Sequence, residues 1–201
     1  MTSYWNTKSD PYQYPNSSVL KNLPGIRKAC VLEAFEQRAT ALRLDDMMKA
    51  IAGVPVNLAM WQTIHRILFQ DVYDWAGQIR IVQLAKSHTV FAMPEHIAPE
   101  AKRIFDMLER ENLALLNRNP LVLRLACYFG ELNVLHPFRE GNGRTQKLLF
   151  DEIVRRYGYE IRWEKMDVDV LLQAVVTAFH KQDYAPLEKL FNMALQKIVQ
   201  G

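Results

Sequence analysis

The segment that runs from Leu135 to Lys147 (LHPFREGNGRTQK) holds more side chains capable of chemistry than any other part of the 201-residue chain. An apolar helical pattern from Leu121 to Leu135 leads into Pro137, which favours an extended conformation at His136 and predicts a helix end there. A second helix is predicted to begin near Gly143, because apolar residues recur at helical spacing after it. The segment is therefore predicted to be a loop between two helices.

The loop has the composition of an anion site. Gly141-Asn142-Gly143 lies where the backbone amides at a helix N-terminus lack partners, and glycines let those amides approach an anion closely. Arg144 and Lys147, three residues apart on the first turn, can face the same anion, and Glu140 suits a hard divalent cation. His136 is the only nearby side chain that can act as a base near neutral pH. The pattern thus indicates a nucleotide, a metal ion and a proton acceptor.

The elements that must position this loop form a mostly helical bundle. Residues 1–25 carry three of the nine prolines and no helical periodicity, so they are predicted to be an extended arm ahead of a single domain at 26–201. Apolar spacing predicts helices over about 27–44, 57–73, 95–116, 120–135, 143–157, 167–181 and 185–199. The β-rich stretches Ile79–Leu84 and Thr89–Phe91, with Ala85–His88 between them, predict a small hairpin.

Composition excludes several classes of protein. The 25 basic and 22 acidic residues leave a net charge of +3, too little to indicate a nucleic-acid or membrane surface. The start of the chain lacks the features of a signal peptide, and no apolar run reaches membrane-spanning length, which favours a soluble, cytoplasmic protein. Cys30 and Cys127 have no metal-ligand spacing and are expected to be reduced, buried thiols. His65 is expected to be a packed or capping histidine.

The string His-Pro-Phe-Arg-Glu-Gly-Asn-Gly-Arg at 136–144 resembles the signature of the Fic-domain family, most of whose active members transfer AMP from ATP to a protein hydroxyl. Asp71–Gly77 resembles the segment before that family's hairpin, and Asp10–Pro15 with Val19–Asn22 resembles the N-terminal arm of its bacterial toxin members and related type IV secretion effectors. Asp183–Leu187 resembles a turn near the family's C-terminal end. The resemblance implies an all-α, Fic-fold helical bundle with a small β-hairpin flap beside the active-site loop.

The resemblance also implies a role for each residue of the site. His136 would deprotonate a Ser, Thr or Tyr hydroxyl of a target protein, which then attacks the α-phosphorus of ATP, and Glu140 would hold Mg²⁺. Phe138 is expected to point into the core and pin the loop. The implied nucleotide-binding set is Lys86 and Ser87 on the flap, and Phe138, Gly141, Asn142, Gly143, Arg144, Thr145, Gln146 and Lys147 on the loop and its helix.

The resemblance further implies two protein partners. A target segment would pair as an added strand with the flap at about 81–92, and targets in the toxin branch include the ATPase subunits of DNA gyrase and topoisomerase IV. Many family members carry a Ser/Thr-xxx-Glu-Gly/Asn motif whose glutamate shuts off the site, and the 201 residues contain no such string. This absence leaves two alternatives, which are a constitutively active enzyme and inhibition by a small separate antitoxin that supplies the glutamate. The toxin-like arm favours the antitoxin, and a secreted effector would use the same chemistry.

Two positions bear on alternative activities. Lys147 stands where the family usually has a second arginine, and lysine lacks the bidentate fork of a guanidinium group. A phosphorylating member of the family resembles a variant with lysine in place of Gly143, so Gly143 argues against a kinase. Transfer of UMP or GMP, or a non-catalytic module that binds nucleotide and partner, remain the alternatives.

Overall fold

Eight α-helices account for most of the residues that the computed structural model describes, which are 10–86 and 89–198. The helices are Ala29–Leu42 (α1), Leu44–Ile51 (α2), Leu58–Phe69 (α3), Pro94–Arg110 (α4), Arg118–Leu135 (α5), Asn142–Arg155 (α6), Val168–Lys181 (α7) and Ala185–Ala194 (α8). The strands are Ala85–Lys86 (β1), Thr89–Val90 (β2), Tyr159–Ile161 (β3) and Leu195–Lys197 (β4). The all-α fold class expected from the sequence is confirmed.

Helix α5 lies at the centre of the bundle. It packs against α4, α6, α7 and α8, and Leu125, Ala126 and Leu132 on it have no exposed surface. A helix with apolar residues on most of its sides is stable only when neighbours cover those sides. Because α6 in turn packs on α3 and α5, the loop that joins α5 to α6 is fixed between the central helices.

The first predicted helix, at 27–44, contains the whole of α1, and its last residue is already the first of α2. The break falls at Arg43, whose guanidinium donates to Asp71 at 2.6 Å and to Asp46 at 3.1 Å. These two ion pairs hold the chain where it changes direction. Helix α2 was missed, although Met47 and Ile51, four residues apart and fully buried, are the apolar spacing that marks it.

The hairpin is confirmed, but its first strand was placed too early. Strand β1 pairs antiparallel with β2, with Ala85 opposite Val90, and residues 79–84 form no strand. Two amides of this segment are bonded elsewhere, since the Arg80 N–H donates to the Pro137 carbonyl at 2.9 Å and the Ile81 N–H donates to the Tyr12 hydroxyl at 3.2 Å. Only the end of the segment meets the hairpin partner, where the Leu84 carbonyl accepts from the Phe91 N–H at 3.0 Å.

The C-terminal end differs from the prediction in a similar way. The helix expected at 185–199 ends at Ala194, and the chain continues as β4, which pairs antiparallel with β3. Neither strand was predicted, because each has only three residues and no alternating pattern of useful length. The helix expected at 95–116 ends at Arg110, where the backbone of Glu111 becomes extended.

The structure also bears on the predicted lack of a membrane-spanning segment and on the state of the two cysteines. Within residues 10–86 and 89–198, no helix is both long and apolar enough to cross a membrane. Both cysteines are free thiols, as expected, but Cys30 is exposed rather than buried because it lies on the outer face of α1, while Cys127 is half-buried.

The described part of the arm packs onto the bundle. Asp10 forms an ion pair with Arg139, with 2.6 Å between Asp10 Oδ2 and Arg139 Nη2, and both side chains are at most 4% exposed. The Tyr12 ring packs edge-on against Trp75, and the Leu23 N–H donates to the Val72 carbonyl at 2.8 Å. The arm thus braces the α5–α6 loop from outside the bundle.

The buried ion pair makes the arm necessary for stability. We expect Asp10→Asn to lower the free energy of unfolding by about 3 kcal/mol, because the mutation removes one charge of a buried pair. The measurement is urea denaturation beside Asp45→Asn, an exposed position on α2 where the same change should cost less than about 0.5 kcal/mol. Equal stability of the two variants would mean that the arm does not brace the loop.

Candidate active site

The loop between α5 and α6 joins two helix ends through two left-handed residues. His136 ends α5 with φ 42° and ψ 62°, and Gly141 precedes α6 with φ 79°. Pro137 cannot continue a helix after His136, and glycine tolerates the positive φ at 141 without strain. The local sequence therefore dictates both the end of one helix and the start of the next.

Asn142 ties the loop to itself. Its side-chain oxygen accepts from the Phe138 N–H at 2.8 Å, and its side-chain nitrogen donates to the Phe138 carbonyl at 2.7 Å. The Phe138 ring is fully buried, stacks on His65 with 4.0 Å between ring centroids, and meets Trp61 edge-on. Phe138 thus has the core position expected of it and anchors the loop.

His65 supports the loop from below. The Gly77 N–H donates to His65 Nδ1 at 2.8 Å, so the proton of the neutral ring is on Nε2, which donates to the Glu140 carbonyl at 3.0 Å. Burial lowers the pKa of His65 to about 3, which keeps this tautomer neutral. The expected packed histidine is confirmed, with the added role of holding a loop carbonyl.

The imidazole of His136 is neutral and held on both sides. Its Nδ1 lies 3.4 Å from the Asn133 carbonyl, and its ring stacks on Phe91 with 3.8 Å between centroids. Burial lowers the pKa of His136 to about 3. With Nδ1 turned toward a carbonyl, Nε2 is the nitrogen left to accept a proton.

The start of α6 offers amides to an anion. The first N–H that bonds within the turn is that of Thr145, which donates to the Gly141 carbonyl at 3.1 Å, so the amides of residues 142–144 precede the helical ladder. A Cβ added to Gly143 would meet nothing within 4 Å, whereas one on Gly141 would lie 2.3 Å from the Phe69 ring. Gly143 therefore faces open space, and Gly141 is needed for close packing.

Glu140 lies beside these amides. One oxygen of its carboxylate accepts from the Gly141 N–H at 2.9 Å and lies 3.9 Å from Arg144 Nη2. Burial and the negative charge of Glu36 raise the pKa of Glu140, and a bound cation would relieve both effects. A single carboxylate fits Mg²⁺, which binds through one or two carboxylates together with substrate phosphates and water.

Arg144 is engaged by a carboxylate of α1. Its guanidinium forms an ion pair with Glu36 and lies 4.8 Å from the centre of the Phe69 ring. The hydroxyl of Tyr73 donates to the other oxygen of Glu36. A cavity of about 650 Å³ opens beside this cluster, lined by the arm, α1 and the loop. An anion that binds Arg144 must share it with Glu36 or displace Glu36.

Thr145 and Gln146 turn their side chains away from the open side of the loop. The Thr145 hydroxyl bonds to the Gly141 carbonyl and accepts from Trp61 Nε1, both at 3.1 Å, and Gln146 Nε2 donates to the Phe129 carbonyl at 2.7 Å. Both residues are at most 2% exposed. These contacts favour support of the loop over direct binding of nucleotide by the two side chains.

Lys147 reaches toward Trp163. Its Nζ lies 5.2 Å from the centre of the Trp163 ring, which also donates through Nε1 to Asp151 at 2.7 Å. Burial lowers the pKa of Lys147 and raises that of Asp151 to about 6. Lys147 and Arg144 thus start from the same face of α6 and extend to different neighbours.

The flap reaches the site through its second strand. Phe91, just after β2, covers the His136 ring, and Thr89 Oγ1 lies 3.2 Å from His180 Nε2 on α7. Lys86 is half-buried at the end of β1. Ser87 lies outside the described residues.

Three residues that shape the site were missed by sequence reasoning. Glu36 pairs with Arg144, Asp10 pairs with Arg139, and the Arg80 side chain donates to the His136 carbonyl at 2.8 Å. Glu36 had a usable signal, because it is a charged residue on the apolar face of an amphipathic helix. The charge of Arg80 within an otherwise β-rich apolar stretch was a similar signal, whereas Asp10 gave none.

These features place a neutral histidine and an open row of helix N-terminal amides at the two ends of one loop within a helical bundle. Residues 55–154 match the profile of the Fic/DOC family. A probable protein adenylyltransferase of Sinorhizobium fredii is 37% identical over 91% of this chain and 94% of its own length, and one of Escherichia coli is 35% identical over 87% and 86%. The chain belongs to the Fic/DOC family.

A solved structure agrees with this assignment. The N-terminal Fic domain of a VirB-translocated effector protein from Bartonella quintana, determined with bound ADP, superposes with a TM-score of 0.82. The two chains are 26% identical, and the match covers 93% of this chain and 95% of the other.

The two loop glycines should respond oppositely to alanine. We expect Gly141→Ala to lower the free energy of unfolding by about 3 kcal/mol, because the positive φ strains alanine and its Cβ overlaps Phe69. Gly143→Ala should leave stability unchanged or raise it by up to about 1 kcal/mol, since it meets open space within a helix. Urea denaturation of both variants tests this, and wild-type stability of Gly141→Ala would contradict the packing of the loop on Phe69.

The raised pKa of Asp151 should make stability depend on pH. The folded state binds the proton of the Asp151 carboxyl more tightly than the unfolded state does. The contribution of that protonated carboxyl to the free energy of unfolding is therefore complete below about pH 4 and is lost as the pH rises through about 6. The free energy of unfolding of wild type relative to Asp151→Asn should therefore fall by about 2 kcal/mol between pH 4.5 and pH 7.5. Urea denaturation at both pH values measures it, and a difference that does not change with pH would show that Asp151 is not buried against Trp163.

Proposed function

We propose that this chain is a protein adenylyltransferase that transfers AMP from ATP to a Ser, Thr or Tyr hydroxyl of another protein. The observation that carries the proposal is the loop at 136–143, where a neutral histidine and an open row of helix N-terminal amides stand at opposite ends of one short segment. Its family relatives at 35–37% identity carry the name of this activity.

The chemistry follows from that placement. The α-phosphate of ATP would accept hydrogen bonds from the amides of residues 142–144, with help from the dipole of α6. His136 Nε2 would take the proton of the target hydroxyl as its oxygen forms a bond to the α-phosphorus. The bond from that phosphorus to the bridging oxygen then breaks and pyrophosphate leaves. Arg144 would stabilise the negative charge that grows on the leaving group.

Mg²⁺ would be held by Glu140 together with the phosphates of ATP. When bound, it supplies positive charge that neutralises the polyphosphate and orients it. The protein would contribute one carboxylate, and the phosphates and water would complete the coordination of Mg²⁺.

The acceptor would be a cytoplasmic protein that binds along the flap. An extended target segment would add to the hairpin by backbone hydrogen bonds, which brings its hydroxyl toward His136. The ATPase subunits of DNA gyrase and topoisomerase IV are the targets suggested by the family resemblance. An antitoxin would place its inhibitory glutamate in the γ-phosphate site, where Lys147 would have to receive it in place of the family's second arginine.

The experiment is transfer of label from ATP to proteins of a bacterial lysate. Purified protein is incubated with lysate, Mg²⁺ and either α-labelled or γ-labelled ATP, beside His136→Ala and beside His65→Asn. We expect transfer from the α position only, at least 100-fold weaker with His136→Ala because the base is gone. His65→Asn keeps a side-chain donor near the Glu140 carbonyl and separates the loss of a base from a general disturbance of the loop.

Each other outcome identifies a different activity. Transfer from the γ position would mean a kinase. Transfer from α-labelled UTP or GTP instead of ATP would mean that another nucleotide is the donor. If wild type and His136→Ala protein transfer no label from any of these nucleotides, the chain is a binding module rather than an enzyme.

A further inference from the structure

The side chain of Arg80 lies between the flap and the end of α5. It is 1% exposed, and its guanidinium donates to four backbone carbonyls. Two of them belong to the end of α5, with Nε 2.8 Å from the His136 oxygen and Nη2 3.2 Å from the Leu135 oxygen. The other two belong to the two ends of the flap, where it joins the bundle. Nη1 lies 2.6 Å from the Val82 oxygen and Nη2 lies 2.5 Å from the Ala92 oxygen.

The main chain strengthens the same connection. The Arg80 N–H donates to the Pro137 carbonyl at 2.9 Å, and the Ala92 N–H donates to the Val134 carbonyl at 3.0 Å. The last carbonyls of a helix have no partner within that helix, and positive charge is favourable next to them. At the end of α5, Arg80 and Ala92 satisfy the consecutive carbonyls of residues 134–137.

This set of contacts fixes a backbone that would otherwise be strained. His136 has a left-handed conformation, which costs a residue with a Cβ about 1 kcal/mol or more and persists only where neighbours hold it. The carbonyl of that residue is bonded to Arg80. The orientation of the His136 imidazole therefore depends on the same guanidinium that binds both ends of the flap.

We propose that Arg80 is a positioning residue that fixes the backbone of His136 relative to both ends of the flap. It thereby sets the distance between the hydroxyl of a target segment bound to the flap and His136 Nε2, which takes the proton of that hydroxyl. The inference rests on the proposed function, because it assigns the flap to the target and His136 to the proton. Because Arg80 is 1% exposed, its side chain would not contact a bound nucleotide.

Lysine at this position should keep the charge and lose the geometry. A guanidinium is a planar fork with five N–H donors, whereas an ammonium is a single point with three donors. Arg80→Lys cannot reach carbonyls of both the flap and α5 in the same arrangement. The phosphate-binding amides should be unaffected, because Asn142, His65 and Gly141 hold them through contacts that do not include Arg80.

The test compares Arg80→Lys with wild type and with Arg103→Lys, an exposed arginine on α4. Label transfer from α-labelled ATP gives kcat, calorimetry with AMPPNP and Mg²⁺ gives nucleotide affinity, and thermal unfolding reports the fold. We expect kcat of Arg80→Lys to fall about 100-fold, as for a displacement of about 1 Å between reacting groups. Its AMPPNP affinity should stay within about twofold of that of Arg103→Lys, because the contacts that hold the amides of residues 142–144 do not include Arg80.

Two results would overturn the proposal. Transfer by Arg80→Lys at the rate of Arg103→Lys would show that the geometry of the guanidinium is not needed. A parallel loss of AMPPNP affinity and kcat would show a general disturbance of the site instead of a displaced His136.

A second measurement needs no variant with altered stability. In ¹H–¹⁵N spectra of the wild-type protein, the Nε–H of Arg80 should exchange slowly with solvent and show a scalar coupling to the carbonyl carbon of His136 across the hydrogen bond. Rapid exchange without that coupling would overturn the proposal even if Arg80→Lys fails to fold. If wild type and His136→Ala are both inactive, the proposed function fails, while this measurement still decides whether the contact exists.

Discussion

The end of α5 and the start of α6 carry backbone groups of opposite polarity on either side of residues 136–141, and contacts from distant parts of the chain fix both ends. The end of α5 presents carbonyl oxygens, and the start of α6 presents amide hydrogens. Each row would be costly to bury without partners. Arg80 and Ala92 bond to the carbonyls, Asn142 closes the loop on itself, and the pair of Asp10 and Arg139 braces it from outside.

On the side of the loop that faces the cavity, the hydrogen-bond donors and the positive charge are paired with carboxylates of the protein itself. Glu140 accepts from the Gly141 amide, and Glu36 forms an ion pair with Arg144. If the nucleotide binds as proposed, its phosphates would compete with both carboxylates, and ATP would replace one set of anionic partners by another. The raised pKa of Glu140 reflects first its burial and then the nearby negative charge of Glu36. A cation that arrives with the phosphates would favour the ionised carboxylate.

The sequence was sufficient for the loop and insufficient for its supports. The end of α5, the start of α6 and the core position of Phe138 follow from proline, glycine and the spacing of apolar residues, all of which act within a few residues. Arg80, Glu36 and Asp10 act on residues far away in the chain, and only the folded structure brings them together. The same reason explains the misplaced first strand, since its amides bond to the arm and the loop.

A crystal structure of the protein with AMPPNP and Mg²⁺ would show whether the amides of residues 142–144 hold the α-phosphate opposite His136. We expect α-phosphate oxygens within hydrogen-bonding distance of these amides. Glu140 should be turned from the Gly141 amide toward the metal, and His136 Nε2 should face the α-phosphorus. A triphosphate bound away from the start of α6, with Glu140 still on the Gly141 amide, would contradict the proposed binding mode.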